Sequence, residues 1–198
     1  LSLDFTTILD EWDMSGSTFT NNNTIQGVAV ADDGTYYAAS SGVNKILNIN
    51  PTTGAKIGTI TATSANGIAY DSARSGIWWK AASSGTLNLY DIATSSIVDT
   101  MTVRADIDQI GITPQGYIYG TFGANGDDAQ LKFYDTATKA EFASTLGLSP
   151  WQAAEGVYYD TVAEVISGVS DGAFHLEASP ALALGLTYDA STLDLTPV

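Results

Sequence analysis

The stretch LYDIATSSIVDT (residues 89–100) has a close echo in FYDTATKAEFAS (133–144). Both read aromatic, Asp, any residue, Ala and Thr, followed by polar residues and a second β-prone run. Further versions occur at 3–14, 49–60 and 187–198. The anchors of the five copies are Asp4, Asn50, Asp91, Asp135 and Asp189. Because Asp and Asn side chains bond the backbone two residues on, this Asp phrase predicts a hairpin whose anchor forms the turn.

A second phrase alternates with the first. Its copies are GVAVADDGTYYAAS (27–40), GIAYDSARSGIWWKA (67–81), QIGITPQGYIYGT (109–121) and GVYYDTVAEVISG (156–168). Each has a short apolar run, a turn and a β-branched or aromatic run, which is typical of a β-hairpin. Two hairpins in every forty-odd residues make a four-stranded unit, and no segment keeps a helical period. The repeat predicts an all-β protein, a β-propeller of four-stranded antiparallel blades.

The repeat also predicts the domain organisation. We expect residues 1–198 to form one propeller domain, with blades near 24–61, 62–103, 104–146 and 147–198 and a partial blade at 1–20. The first phrase, anchored on Asp or Asn, occurs five times and the second phrase four times. We therefore expect four to five blades, with five favoured. The chain termini then close the ring, since an open ring would leave apolar sheet faces in water.

Two forms of closure remain open. In the first, the carboxy-terminal GLTYDASTLDLTPV (185–198) pairs with the amino-terminal LSLDFTTILDEWDM (1–14) in one shared blade. In the second, the carboxy-terminal stretch is the outer hairpin of the last blade. The amino-terminal hairpin is then half a blade, completed by preceding residues or by a neighbouring subunit.

Residues 67–103 resemble the YVTN-type propeller repeat of surface-layer and secreted proteins, and the resemblance extends over 24–146. That repeat runs from a glycine and an apolar strand through an Asp-Gly turn and a Ser-Gly-rich loop to an Asp-Thr-Ala-Thr hairpin. The tetrapeptide that names the family is replaced here by YYAA, IWWK and YIYG. The resemblance implies a propeller fold and an extracellular or surface-associated location.

The charge is strongly one-sided, with 22 acidic against 7 basic residues and a net charge of −15. Such a surface repels phosphate backbones and anionic membranes, so we expect no nucleic-acid partner. The chain has no Cys, and no apolar run is long enough for a membrane span.

Polar residues precede each predicted innermost strand and would point into the mouth of the central channel. They are Gln26, Asn66, Asp108 and Glu155. Two carboxylates and two amides supply oxygen ligands of the kind that Ca²⁺ prefers. The arrangement is similar to that of gluconolactonase-like propellers, which hold a divalent metal at this mouth. The alternative is a polar ring around a water-filled channel, with no cofactor.

A second candidate region lies in the loops of the same face. Trp151, in LSPWQAAEG, would stack on a sugar ring or anchor a protein partner, with Gln152 as a further ligand-binding residue beside it. The alternative is that Trp151 packs down onto the sheet. The loop GANGDDAQ (123–130) adds polar ligands, namely Asn125, Asp127 and Asp128. Trp78 and Trp79 are adjacent on a strand and must face opposite ways, so at least one of them packs between blades.

Catalysis is poorly supplied. There is no thiol nucleophile or nucleophile-elbow motif, and the single imidazole, His175, is expected to be structural. We therefore expect a non-enzymatic recognition or structural module, secreted or surface-displayed, that binds a protein or glycan through its loop face. The alternatives are a metal-dependent lactonase-like hydrolase, with Asp108 and Glu155 holding the ion, and an assembly subunit of a filament, surface layer or virion.

Overall fold

The computed structural model describes ten segments of the chain, which include every strand named below. The segments are 25–40, 43–82, 84–105, 107–122, 130–143, 156–160, 165–170, 173–178, 186–189 and 194–197. Within them the regular structure is antiparallel β-sheet, without an α-helix. No described segment forms a helix with the length and hydropathy of a membrane span.

Three sheets have four strands each, hydrogen-bonded in chain order. The first contains β1 (Gly27–Val30), β2 (Tyr36–Ser40), β3 (Lys45–Ile49) and β4 (Lys56–Thr61). The second contains β5 (Ala65–Asp71), β6 (Gly76–Ala81), β7 (Thr86–Asp91) and β8 (Ser96–Thr102). The third contains β9 (Ile107–Ile112), β10 (Tyr117–Phe122), β11 (Gln130–Asp135) and β12 (Glu141–Ala143). Both predicted hairpins are therefore present in every one of these sheets.

The remaining described strands form two smaller sheets. One contains β13 (Gly156–Asp160), β14 (Val165–Ser170) and β15 (Ala173–Ala178), and the other contains β16 (Leu186–Asp189) and β17 (Asp194–Pro197). In the second form of closure, the carboxy-terminal hairpin supplies the outer strands of the last blade, beginning with its third strand. In the structure, β15 is the third strand of this sheet, paired with β14. The amino-terminal half of either closure, residues 1–24, lies outside the described residues.

The sheets are arranged around an axis. The first strand of each sheet contacts the first strand of the next, β1 with β5, β5 with β9 and β9 with β13. First strands therefore lie innermost, and the later strands of each sheet extend outward. This is the β-propeller architecture that the repeat predicts.

The anchors of the Asp phrase form turns, as predicted. Asn50 Oδ1 accepts hydrogen bonds from the backbone N–H groups of Thr52 and Thr53, at 2.8 and 2.9 Å. Asp91 Oδ1 accepts one from Thr94 N at 2.6 Å. Asp135 Oδ1 does the same in the third sheet, and such backbone bonds lower the pKa of Asp91 and of Asp135. Asp4 lies outside the described residues, and Asp189 is the last residue of β16.

Each of these turns also contains a left-handed residue four positions after the anchor. Gly54 has a φ of 66°, Ser95 of 55° and Lys139 of 63°. Only the first sheet uses glycine there, although left-handed backbone is costly for residues that carry a Cβ. The left-handed conformation at this position of the repeat is thus kept even where the residue is not glycine.

Apolar side chains fill the spaces between adjacent sheets. Between the first and second sheets the buried cluster is Ala29, Ala31, Tyr37, Ala39, Ile46, Ile60, Ala62, Ala65, Ile68, Ile77 and Trp79. Between the second and third it is Ala69, Trp78, Leu87, Leu89, Met101, Val103, Ile107, Ile110, Ile118 and Tyr134. Trp78 and Trp79 therefore face opposite ways, as predicted, and both pack between sheets.

Candidate functional site

The loop face is the end of the molecule where the chain enters the first strand of each sheet and passes from the second strand to the third. Its described parts are 25–26, 43–44, 62–64, 82, 84–85 and 103–105. Loops on a rigid sheet scaffold are the usual carriers of binding function. The opposite end carries the turns between first and second strands and between third and fourth strands, and we refer to it as the turn face.

The predicted mouth residues lie where the first strands begin. Gln26 precedes β1, whereas Asn66 and Asp108 are the second residues of β5 and β9, one position inside each strand. Both strands are irregular at this point, because Asn66 lies between the paired residues Ala65 and Ile68, and Asp108 lies at a similar shift in β9. Bulges of this kind turn side chains away from the regular alternation and often border functional sites.

One hydrogen bond joins the entrances of the first and third sheets. The side-chain Nε2 of Gln109, on β9, donates to the backbone oxygen of Gln26. Gln109 is the first residue of the third copy of the second phrase but was not a predicted site residue, and nothing local in the sequence indicates a contact with a residue 83 positions away. The bond spans two sheets that are not neighbours, so both residues lie close to the axis.

Asn66 lies beside the same entrance. Its side chain is buried, and its backbone oxygen lies 2.7 Å from the place where a Cβ on residue 27 would stand. Gly27 is therefore required for β1 to approach β5 this closely. The side-chain oxygen Oε1 of Gln26 is also buried, but it accepts no hydrogen bond within the part of the chain that the structure describes.

The predicted metal site is described only in part. Ca²⁺ takes six to eight oxygen ligands and favours carboxylates, while the described side chains of Gln26 and Asn66 are neutral amides. The side chain of Asp108 and the whole of Glu155 lie outside what the structure describes. Among the described residues, no group of three or more His, Cys, Asp or Glu side chains could hold a metal ion.

Lys80 is the feature of the loop face that the sequence did not reveal. Its side chain is fully buried, and Nζ donates to the carbonyl oxygens of Ala81 at 3.1 Å, Ala82 at 3.4 Å and Ala105 at 2.8 Å. These carbonyls belong to two different loops, one leaving β6 and one leading into β9. The only available signal was a lysine within the apolar run IWWKA (77–81).

Two more bonds fix neighbouring loops. Asn44 Oδ1 accepts a hydrogen bond from the backbone N–H of Ser64 at 2.7 Å, which links the loop before β3 to the loop before β5. Tyr134 Oη accepts one from the backbone N–H of Arg104 at 3.2 Å. Burial raises the pKa of Tyr134 to about 12, so its hydroxyl stays neutral at physiological pH.

The other predicted ligand-binding residues lie outside the described residues. They are Trp151, Gln152, Asn125, Asp127 and Asp128. Glu155 belongs to the same group. Their assignment to the loop face remains a prediction from the repeat.

The turn face holds most of the described charge pairs. Arg74 Nη1 contacts Asp99 Oδ2 at 3.2 Å, and Lys139 Nζ bonds the other oxygen of Asp99. Arg74 also donates to Thr136 Oγ1 at 3.1 Å, and Trp78 Nε1 donates to the buried Asp71 at 3.0 Å. The bonds from Lys139 to Asp99 and from Arg74 to Thr136 join the second sheet to the third at the end opposite the candidate site, and the other two bonds lie within the second sheet.

Comparison with known proteins supports the fold. No protein-family profile and no curated protein matches the sequence. Among solved structures, hydrazine synthase from Kuenenia stuttgartiensis is 11% identical with a TM-score of 0.60, over 94% of this chain and 51% of that one. A nidogen/laminin complex (16% identical, TM-score 0.59) matches over 79% of this chain and 65% of that one.

A mitotic checkpoint complex is similar at 12% identity and a TM-score of 0.59, over 78% of this chain and 49% of that one. The chain thus spans about half to two thirds of the solved chains it matches. The similar structures are propeller-type proteins, and at these identities they show the fold alone. The narrower YVTN assignment has no family match to support it and stays a proposal.

Proposed function

We propose that the protein is a non-enzymatic recognition module that binds a protein or a glycan through its loop face. The observation that carries the proposal is the buried ammonium group of Lys80, which holds three carbonyl oxygens from two separate loops. A buried cation is costly unless it is fully bonded, so its energetic role here is to keep those loops together. The role that we assign to Lys80 is thus to fix the shape of the loop face rather than to transfer protons.

Fixed loops favour binding for a general reason. Association orders flexible segments at a cost in entropy, and a surface that is already ordered avoids much of that cost. On this loop face the ties come from Lys80, from the bond between Asn44 and Ser64, and from the bond between Arg104 and Tyr134. The first two ties connect different loops, and the third holds the loop before β9 to strand β11.

The comparisons are compatible with this role but do not select it. Two of the similar structures are named as complexes, nidogen with laminin and the mitotic checkpoint complex, whereas the third is named as an enzyme. The choice of recognition over catalysis therefore rests on the loop face. The proposed location, outside the cell or on a surface, rests on the resemblance of 67–103 to the YVTN-type repeat and on the net charge of −15.

The test is a glycan array together with a display screen of extracellular protein domains, using folded wild-type protein. Each ligand found is then measured with Lys80→Met and with Lys56→Met. Lys56 is an exposed residue at the turn-face end of β4, so its replacement removes the same charge away from the loops. We expect Lys80→Met to weaken binding about tenfold or more, as for a lost charge-assisted contact, and Lys56→Met to leave it unchanged.

If folded wild-type protein binds no glycan and no protein domain, the proposal is wrong. It is also wrong if ligands are found but Lys80→Met and Lys56→Met bind them equally well. Circular dichroism of both variants shows whether the sheets are intact.

A second candidate function, an assembly subunit, is favoured by the exposed apolar side chains of β1. Val28 is 58% exposed and Val30 is 50% exposed, although the registers place Val28 at the same point of its sheet as Ile68 and Ile110. Those two isoleucines are only 2% and 5% exposed because each packs against the preceding sheet. Exposed apolar positions of this kind promote association.

The assembly function predicts a molecular mass that rises with protein concentration in light scattering. Val28→Lys places a charge among the exposed apolar side chains of β1 and would keep the protein monomeric. Ala93→Lys, which adds the same charge at an exposed position of the turn between β7 and β8, serves as the control. A wild-type mass that stays monomeric at every concentration contradicts the assembly function.

A further inference from the structure

We propose that the entrance of the innermost strands forms a socket for one positively charged, hydrogen-bond-donating group, a lysine or arginine side chain of a protein partner. The socket is lined by Gln26, Asn66 and Gln109. The proposal rests on the proposed recognition function and names the chemistry that the loop face would recognise near its axis.

The three residues meet where three consecutive sheets begin. The bond from Gln109 Nε2 to the backbone oxygen of Gln26 joins the first sheet to the third. The close approach of Gly27 to the backbone of Asn66 brings the second sheet to the same place. Since Gln26 directly precedes Gly27, its side chain starts from the centre of this group.

The feature that points to a ligand is the side-chain oxygen of Gln26. It is buried, and no donor among the described residues reaches it. Buried acceptors in folded proteins are almost always paired, because an unpaired one loses its bonds to water without replacement. A donor that arrives with a ligand would restore the missing bond. The socket thus lacks a hydrogen-bond donor rather than a hydrogen-bond acceptor.

Four of the protein's seven Lys and Arg residues bind groups other than the socket. In the described part of the chain, Arg74, Lys132 and Lys139 each contact an acid, and Lys80 binds carbonyl oxygens. The acid turns keep their charge, because hydrogen bonds from backbone N–H groups rather than cations hold Asp91 and Asp135. A molecule of net charge −15 draws positive groups towards it, which favours a cationic ligand over a neutral one.

An organic cation suits these residues better than a divalent metal. A lysine ammonium has three donors that can be shared among an amide oxygen, backbone carbonyls and water. A calcium ion needs many oxygen ligands at fixed short distances. The amides of Gln26 and Asn66 offer oxygen acceptors for an ammonium group, but they are too few to supply the ligands of a calcium ion.

The test is nuclear magnetic resonance of protein labelled with ¹⁵N in its glutamine side chains. The signals of Gln26 and Gln109 are assigned from Gln26→Met and Gln109→Met. The protein is titrated with n-butylammonium chloride and with methylguanidinium chloride. Sodium chloride at equal ionic strength, calcium chloride and sodium acetate are titrated in parallel.

We expect both organic cations to shift the Gln26 and Gln109 signals saturably, while sodium chloride leaves them unchanged. Gln26→Met should weaken binding about tenfold, the size of one lost charge-assisted hydrogen bond. Gln115→Met is the matched control, because Gln115 is exposed on the turn face. Backbone amide spectra show whether each variant is folded.

Three results overturn the socket. They are the absence of any saturable shift, a response to calcium at lower concentration than to the organic cations, and a response to acetate instead of cations. None of these bears on the loop face as a whole, since the comparison of Lys80→Met with Lys56→Met tests that separately. Conversely, a saturable cation shift without any partner in the binding screens would support the socket and contradict recognition.

Discussion

The contact between the first and second sheets differs from the contact between the second and third. Both have an apolar core, and in both a tryptophan of β6 is part of it. At the turn face, however, the first contact is completed by Tyr70 and Ser72, whose hydroxyl groups donate to Asp32 at 3.3 and 2.7 Å. The second contact is completed by charged donors: Lys139 of the third sheet bonds Asp99 of the second, and Arg74 of the second sheet donates to Thr136 of the third.

The difference teaches that the repeat sets the geometry but not the chemistry of each contact. Both sets of bonds lie on the turn face. At the first contact neutral hydroxyl groups meet a carboxylate, whereas at the second a lysine meets a carboxylate and an arginine meets a hydroxyl group. The two contacts should therefore respond differently to mutation and to pH, and the following predictions use that difference.

The largest expected effect separates the two tryptophans. Trp78 donates a hydrogen bond to buried Asp71, whereas Trp79 Nε1 is buried without an acceptor among the described residues. Trp78→Phe leaves a buried carboxylate oxygen without its donor and should lower the free energy of unfolding by about 3 kcal/mol. Trp79→Phe removes an unmet donor and should cost about 1 kcal/mol, from lost volume alone. Urea unfolding of the two variants measures both, and equal losses would contradict the comparison.

The next effect concerns Arg74, which contacts Asp99 and Thr136 and lies over the ring of Trp78. Its side chain is about one-third exposed, so the contacts are partly screened. Arg74→Met should lower the free energy of unfolding by about 1–2 kcal/mol. Lys56→Met, with the same change of charge at an exposed position, should stay within about 0.5 kcal/mol of wild type. A smaller loss for Arg74→Met than for Lys56→Met would show that the charged contact is not stabilising.

The pH dependence of the second contact follows from Asp99. Partial burial by itself raises its pKa, but the hydrogen bonds from Lys139 and the backbone of Thr100, with the charges of Lys139 and Arg74, outweigh burial and lower the pKa below 3.8. A lowered pKa in the folded state stabilises the protein above the unfolded value and loses that contribution as the pH falls through the folded value. The stability advantage of wild type over Asp99→Asn should therefore be constant from pH 7 to about pH 5, decline as the pH falls below about 3.8, and be fully lost only below the lowered pKa of the folded state.

Urea unfolding of both proteins across this range measures the pH effect. An advantage that persists unchanged at pH 3 would mean that Asp99 is not an ion-pair partner. Trp79→Phe in the same series provides the control, since the first contact has no equivalent ion pair among its described residues and its loss should not change with the protonation of Asp99.

The smallest expected effect lies in the turns of the Asp phrase. Ser95 and Gly54 occupy equivalent left-handed positions. Ser95→Gly relieves backbone strain and should raise the free energy of unfolding by about 0.5 kcal/mol. The reciprocal Gly54→Ser should lower it by about 1 kcal/mol. Thermal unfolding of the pair checks the equivalence, and shifts of the same sign would contradict it.

The sequence predicts these turns well because their determinants are local. Asn50, Asp91 and Asp135 bond backbone groups two or three residues away, and Trp78 and Trp79 alternate because they are adjacent on a strand. Lys80 and the pair of Gln26 with Gln109 could not be predicted in this way. Their partners lie 25 and 83 residues away, at distances in sequence that only the packing of sheets brings together.

The candidate mouth residues fall between these two cases. The repeat identified the level at which the first strands begin, so Gln26, Asn66 and Asp108 were found in the right part of the fold. The irregularities in β5 and β9 then place Asn66 and Asp108 inside the strands. A bulge adds one residue without leaving a strong mark in the sequence, because any polar residue tolerates it.

The central claim is that the first strands of successive sheets meet around one axis, and cross-linking tests it most directly. The chain has no cysteine, so Gln26→Cys/Gln109→Cys introduces a unique pair of thiols at the loop face. Gln26→Cys/Gln115→Cys is the control, with its second thiol on the turn face. A short thiol-reactive cross-linker should join the first pair within one molecule and leave the second pair unjoined. Equal cross-linking of both pairs, or preference for the second, would contradict the radial arrangement and the loop face built on it.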